Sequence, residues 1–181
     1  MRYDETITLK NGAKCRLRNG TEADGLAVFG NFNLTHAQTD YLLSYPDENS
    51  FDAAQEGEFL KQKAESANEA EILAEIDGEI VGTAGVEAVG TKYKTRHRAE
   101  FGISVDQRYW GLGVGRALMN ACIDCARRAG YAQLELSVVA DNGRAVAMYR
   151  SAGFTEFGRN PLGFRSRTAG DQTLLLMRLE L

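Results

Sequence analysis

The stretch Trp110-Gly111-Leu112-Gly113-Val114-Gly115-Arg116-Ala117-Leu118-Met119 constrains the fold most, because an apolar strand ends there in a glycine-studded turn that opens directly into a helix. The first N–H groups of a helix have no intrahelical acceptor, and the aligned peptide dipoles place roughly +0.5 of a charge at that end. A phosphate fits such a terminus. Glycine at 111, 113 and 115 removes Cβ atoms that would hold a pyrophosphate off the backbone, and it permits positive φ. The segment is therefore expected to grip a phosphorylated cofactor.

Spacing separates the glycine-rich turns. A P-loop requires Gly-Lys-Ser/Thr, whereas Arg116-Ala117 follows the glycines here. A dinucleotide turn requires Gly-x-Gly-x-x-Gly and a further run of βαβ units, and neither is present. The pattern Arg/Gln-x-x-Gly-x-Gly fits at Gly113 and Gly115, with Trp110 at its first position and Arg108 two residues earlier. Downstream, the strand Leu134-Glu135-Leu136-Ser137-Val138 leads into Asn142, Ala145, Tyr149 and Gly153-Phe154. Together, in this order, the two blocks resemble the GNAT superfamily of acetyl-CoA-dependent N-acetyltransferases, and the resemblance is good from about Ala99 to Phe154.

Composition narrows the alternatives. A chain of 181 residues suits one core, so residues 1–181 read as a single N-acetyltransferase domain. Net charge of −4 and a pI near 5.3 give no basic footprint for nucleic acid. No apolar run approaches membrane length, and Met1-Arg2-Tyr3-Asp4-Glu5 lacks the apolar centre of a secretion signal, so a cytoplasmic protein with no membrane partner is expected. Cys15, Cys122 and Cys125 have no disulfide spacing. Cys122 and Cys125 fall inside a helix, where they read as small buried apolar groups. His36 and His97 have no clustered partners, and no metal is expected.

Turn signals at Asn11-Gly12 and Asp77-Gly78 predict two hairpins, over Thr6–Arg18 and Glu71–Val89, the first with a type I′ turn. Thr21-x-x-Asp24 predicts a helix to about Gly30, and Ser50 caps a second over Ser50–Ala67. Strand Arg98–Val105, helix Gly113–Ala129, strand Gln133–Val139 and helix Asn142–Ala152 follow. Phe154–Gly158 and Thr173–Leu181 close the chain as strands around an Arg159–Gly170 loop, whose Arg159, Arg165 and Arg167 either stay solvated or recognise a carboxylate. The order is that of a mixed α/β (α+β) fold with helices on both faces of a sheet. The GNAT resemblance makes that sheet mostly antiparallel, of about seven strands, with a splayed parallel pair in the middle.

The resemblance also implies roles. Backbone groups of Ile103, Ser104 and Val105 bind the pantetheine chain, with an N–H at or near Val105 as oxyanion donor. The amides of Gly111, Leu112, Gly113, Val114, Gly115 and Arg116 hold the pyrophosphate. Asn142 reaches the pantetheine amides while capping its helix, and Tyr149 gives a proton to the departing thiolate. Glu100 is the candidate base, with Glu135 ranked below it. The implied activity is direct acetyl transfer, in a ternary complex, to the primary amine of a small molecule such as an amino acid, and self-association as a homodimer is left open. Relatives that acetylate ribosomal-protein N-termini carry Glu where Ser137 stands. Protein N-terminal or lysine acetylation, a non-catalytic acetyl-CoA sensor and a nucleotide-binding oxidoreductase are the competing readings.

Overall fold

The computed structural model describes residues 2–181. Two antiparallel strands, β1 (Asp4–Thr8) and β2 (Lys14–Asn19), open the chain, followed by helices α1 (Gly25–Gln38) and α2 (Ala53–Glu65). Strands β3 (Ala70–Ile76), β4 (Glu79–Ala88) and β5 (Arg98–Val105) come next, then α3 (Val114–Arg128), β6 (Gln133–Val139), α4 (Gly143–Ser151), β7 (Thr155–Ser166) and β8 (Gly170–Glu180). They form one eight-stranded sheet in the order β1-β2-β3-β4-β5-β6-β8-β7. The count exceeds the expected seven because the N-terminal hairpin pairs with β3. Among these strand pairs only β5–β6 is parallel.

The sheet is apolar on both faces, so each face needs a cover. On one, Val114, Leu118, Ala121, Cys122 and Cys125 of α3 bury against Ile72, Ala84, Val86, Ala99 and Leu134. All three cysteines are free and buried there. On the other, Val28 of α1 and Leu60 of α2 pack on Leu73 and Ile80. Helices α1 and α2 cross closely because a Cβ at Gly25 would lie 2.3 Å from the Ala53 carbonyl oxygen.

Four local expectations are corrected. Asn11 does not take positive φ; instead Gly12 (φ +86°) closes a three-residue loop, and Leu9 donates to the Ala13 carbonyl at 2.9 Å. That is a type I turn with a glycine bulge. The I′ geometry appears at Asp77 (φ 51°) and Gly78 (φ 83°). Helix α1 runs eight residues past Gly30, where Asn31 and Thr35 are buried, while Asp52 rather than Ser50 caps α2 by accepting from Ala54 and Gln55. The Arg159–Gly170 loop is largely strand. Its arginines are paired, Arg159 with Glu156, Arg165 with Asp171 and Arg167 with Asp47, so they serve the hairpin and its docking.

Candidate active site

At the end of β5 the buried Asp106 caps a short 3-10 turn over Gln107–Tyr109. Its carboxylate accepts from the Arg108 backbone at 3.0 Å, the Arg108 Nε at 2.7 Å and the Gln38 amide at 3.0 Å. Arg108 also pairs with Glu79, so it serves the scaffold and is not free to meet an anion. The chain then turns through Gly111 (φ +80°) and Gly113 (φ +107°), and a Cβ at either would meet nothing within 4 Å. Gly115 differs. It lies inside α3 at negative φ, and its Cβ would make ordinary contact with Met148 at 3.5 Å.

The first α3 bond runs from Ala117 N–H to the Gly113 carbonyl at 3.0 Å. The N–H groups of Gly113, Val114, Gly115 and Arg116 precede it and have no acceptor among the described residues. Lys10 braces the turn from the N-terminal hairpin, donating its backbone N–H to the Leu112 carbonyl at 3.1 Å. Trp110 donates its indole N–H to the Val105 carbonyl at 2.7 Å and carries the Arg144 guanidinium 4.6 Å above its ring. It thus ties the turn to both β5 and the start of α4. Arg116 donates to the Ser151 hydroxyl at 3.0 Å.

Beside the turn the sheet opens. Strands β5 and β6 are registered only at Arg98–Gln133, Ala99–Leu134 and Glu100–Glu135, yet β5 continues to Val105 and β6 to Val139. Bonds from Val89 N–H to the Arg98 carbonyl and from Asp106 N–H to the Val81 carbonyl set the β5 ladder. By alternation Glu100, Gly102 and Ser104 direct their backbone groups to β4. Ile103 and Val105 direct theirs into the gap. The ladder therefore separates three residues that the sequence had grouped: Ser104 turns its side chain to the α1/α2 face and spends its backbone on β4.

Tyr149 of α4 is buried, stands edge-on to Phe101 at 6.2 Å, and lies 5.9 Å from Phe154. Burial pushes its phenol pKa up to about 12. Asn142 caps α4, its Oδ1 accepting from Ala145 N–H at 3.2 Å. Glu100 is exposed at the root of the splay, opposite Glu87 across β4–β5. Glu135 is held by Arg98 at 2.7 Å, which lowers its pKa and occupies the carboxylate.

On the α1/α2 face a cavity of about 330 Å³ opens beside Ser104. Its floor is sheet, with Glu71 and Thr83; its walls are Val28 and Phe32 of α1 and Glu56 and Phe59 of α2; Ser44, Glu48 and Phe51 close it from the α1–α2 connection. That roof is latched by the β7–β8 hairpin. Asp40 accepts from Ser166, from Thr168 at 2.8 Å and from the Tyr45 hydroxyl at 2.6 Å, and Arg167 N–H donates to the same Tyr45 oxygen at 2.8 Å. The cavity residues carry no short motif. They come from six separate segments, so sequence reading missed them.

A mixed sheet with a splayed parallel pair and an anion-ready turn between its halves defines the acetyltransferase class of α/β fold. The sequence model of the Acetyltransferase (GNAT) family matches residues 34–154, and the chain belongs to that family. A GNAT-family acetyltransferase of Streptococcus pneumoniae superposes with a TM-score of 0.88 at 25% identity, over 92% of this chain and 99% of that one. A Salmonella typhimurium structure of yncA, described as a putative acetyltransferase with its cofactor acetyl-CoA, gives 0.79 at 21% identity over 92% and 94%. Among curated proteins, the L-amino acid N-acetyltransferase AaaT of Escherichia coli is 36% identical over 46% of this chain and 52% of its own length. The ribosomal protein bS18-alanine N-acetyltransferase of the same species is 46% identical over 31% and 38%. The chain thus matches about half the length or less of these two curated relatives. No helix among the described residues is long and apolar enough to cross a membrane.

Proposed function

We propose that the protein transfers the acetyl group of acetyl-CoA directly to the primary amine of a small molecule, of the class of amino acids and related amines, in a ternary complex. The observation that carries this reading is the joining of two features: four unaccepted N–H groups at residues 113–116 lie next to a β5 edge left open by the splay. Those amides, with Gly111 and Leu112 forming the approach, suit a diphosphate because every second residue, Gly111, Gly113 and Gly115, lacks a Cβ and the turn sits at a positive helix end. Open backbone at Ile103 and the N–H of Val105, whose carbonyl Trp110 engages, suit the amides of a pantetheine chain by adding one strand-like partner to β5.

Acetyl-CoA supplies the activated acyl group and the thiolate leaving group. The Val105 N–H points into the gap, where it stabilises the oxygen on which negative charge develops. Tyr149, neutral throughout the working pH range because its pKa lies near 12, holds a proton for the departing sulfur. Asn142 keeps its amide NH₂ for the pantetheine while its oxygen caps α4. Glu100, on the acceptor face at the root of the splay, takes the amine proton through solvent. A latched cavity of about 330 Å³ favours a compact acceptor over a protein chain terminus.

Calorimetry with coenzyme A, followed by free-thiol release with acetyl-CoA over a panel of amines and peptides, tests the reading. Binding with amine-dependent thiol release is expected. Binding without release to any acceptor would make the protein a sensor, and no heat with coenzyme A would end the reading.

A further inference from the structure

The cavity beside Ser104 contains acid and no base: Glu48, Glu56 and Glu71 line it, and Lys, Arg and His are absent from the lining. Glu56 is 8% exposed and has no hydrogen-bond or ion-pair partner among the described residues, so its carboxyl faces only the cavity. Glu71 lies flat across the floor because Gly85 leaves it room; a Cβ there would come within 2.5 Å of its Oε2. The Glu71, Gly85 and Gly102 positions are in register across β3, β4 and β5. The Glu71 carboxyl, lying over Gly85, is thus one strand spacing, roughly 5 Å, from bare Gly102 at the edge of the splay. The nearest cation, Lys63, is already engaged by Glu69 at 2.8 Å and Glu87 at 2.9 Å.

An amino-acid acceptor would bring its own carboxylate into this acidic pocket with no cation to receive it, which is unfavourable at low local dielectric. A second ammonium group on the acceptor would satisfy Glu56 and Glu71 together. We propose that the Glu56–Glu71 cavity holds a second ammonium of the acceptor, so that the substrate is a carboxylate-free diamine or polyamine, one amine reaching the splay while the other stays in the pocket. The assignment rests on the acetyl-transfer reading above and narrows its acceptor from amino acids and related amines to the amines that carry no carboxylate. Burial raises the pKa of both acids, Glu71 to about 8, and an arriving ammonium offsets that cost by favouring their charged forms.

The test uses the full chain, acetyl-CoA and four acceptors: 1,4-diaminobutane, 1,5-diaminopentane, the monoamine 1-aminobutane and 4-aminobutanoate. A charge-assisted contact predicts roughly tenfold to hundredfold higher kcat/KM for the diamines than for the monoamine, with 4-aminobutanoate the poorest. Glu56→Gln and Glu71→Gln keep shape and remove the charge. Each should collapse the diamine-to-monoamine ratio towards one, while calorimetry still reads coenzyme A at the separate turn. Equal use of diamine and monoamine, a preference for 4-aminobutanoate, or an unchanged ratio in both variants overturns the inference and leaves acetyl transfer standing. Calorimetric binding of 1,4-diaminobutane that is lost in both variants, in a chain that binds no coenzyme A, would uphold the pocket and overturn acetyl transfer. Binding of neither overturns both.

Discussion

Tyr149 and Glu71 show how burial sets the chemistry of single side chains here, acting alone on Tyr149 and outweighing the Thr83 hydrogen bond on Glu71. Desolvation alone raises Tyr149, so its proton stays on at any pH the protein would meet. Replacing Tyr149 with Phe preserves the edge-on packing against Phe101 and removes only the hydroxyl. The expected outcome in steady-state and calorimetric assays is a kcat lower by about a hundredfold or more, with coenzyme A affinity nearly unchanged. Glu71 has its ordinary pKa of 4.5 when unfolded and about 8 when folded, because burial opposes its charge. Below 4.5 both states bind the proton and stability is unaffected. Between these values only the folded state keeps it, so stability falls by about 1.4 kcal/mol per pH unit, then levels above 8. Urea melts of Glu71→Gln should therefore show a variant whose advantage over the natural protein widens from pH 5 to 8 and is constant beyond. A pH-independent difference would show that Glu71 does not titrate across that window.

At the scale of elements, the glycine turn divides into positions that demand glycine and one that does not. Gly113 holds φ +107°, a region that costs an L-residue about 1–2 kcal/mol, whereas Gly115 sits in ordinary helix with room for a methyl group. Gly113→Ala should lower thermal stability and weaken coenzyme A binding about tenfold, because the turn must relax and carry its amides with it. Gly115→Ala should leave the melting temperature close to that of the natural chain. Equal effects on stability would mean that the turn's conformation, as distinct from its openness, is unimportant. Gln38 fastens the same turn to α1, since its amide donates to Asp106 and its Oε1 accepts from Gln107 N–H at 2.8 Å. The acceptor wall and the anion turn therefore share one brace.

For the whole molecule, the far end of the chain controls the roof of a cavity built from residues 28–104. Ser166, Thr168 and Tyr45 converge on Asp40, and their hydroxyls hold its pKa below the ordinary value. Ser166→Ala deletes a charge-assisted bond at a buried position, so KM for the acceptor should rise about tenfold while coenzyme A affinity, measured by calorimetry, stays the same. A change in both would show that the hairpin supports the entire site. Much of this architecture was legible in the sequence. Strands Arg98–Val105 and Gln133–Val139 and the helix between them follow from period and punctuation, which are local properties of the chain. The glycine turn likewise announced its free amides through spacing alone. The same local reading stops α1 eight residues short and ends β7 at Gly158, because burial of Asn31 and Thr35 and the long pairing of β7 with β8 are decided by distant partners. Sequence by itself determined the family, the order of elements and the anion-ready turn. Only the folded chain decided that Ser104 faces away from Ile103 and Val105, that Arg108 is spent on Asp106 and Glu79, and that Glu56 and Glu71 share one cavity. Those facts depend on ladder register and on residues brought together from separate segments, and neither is written in any single stretch of sequence.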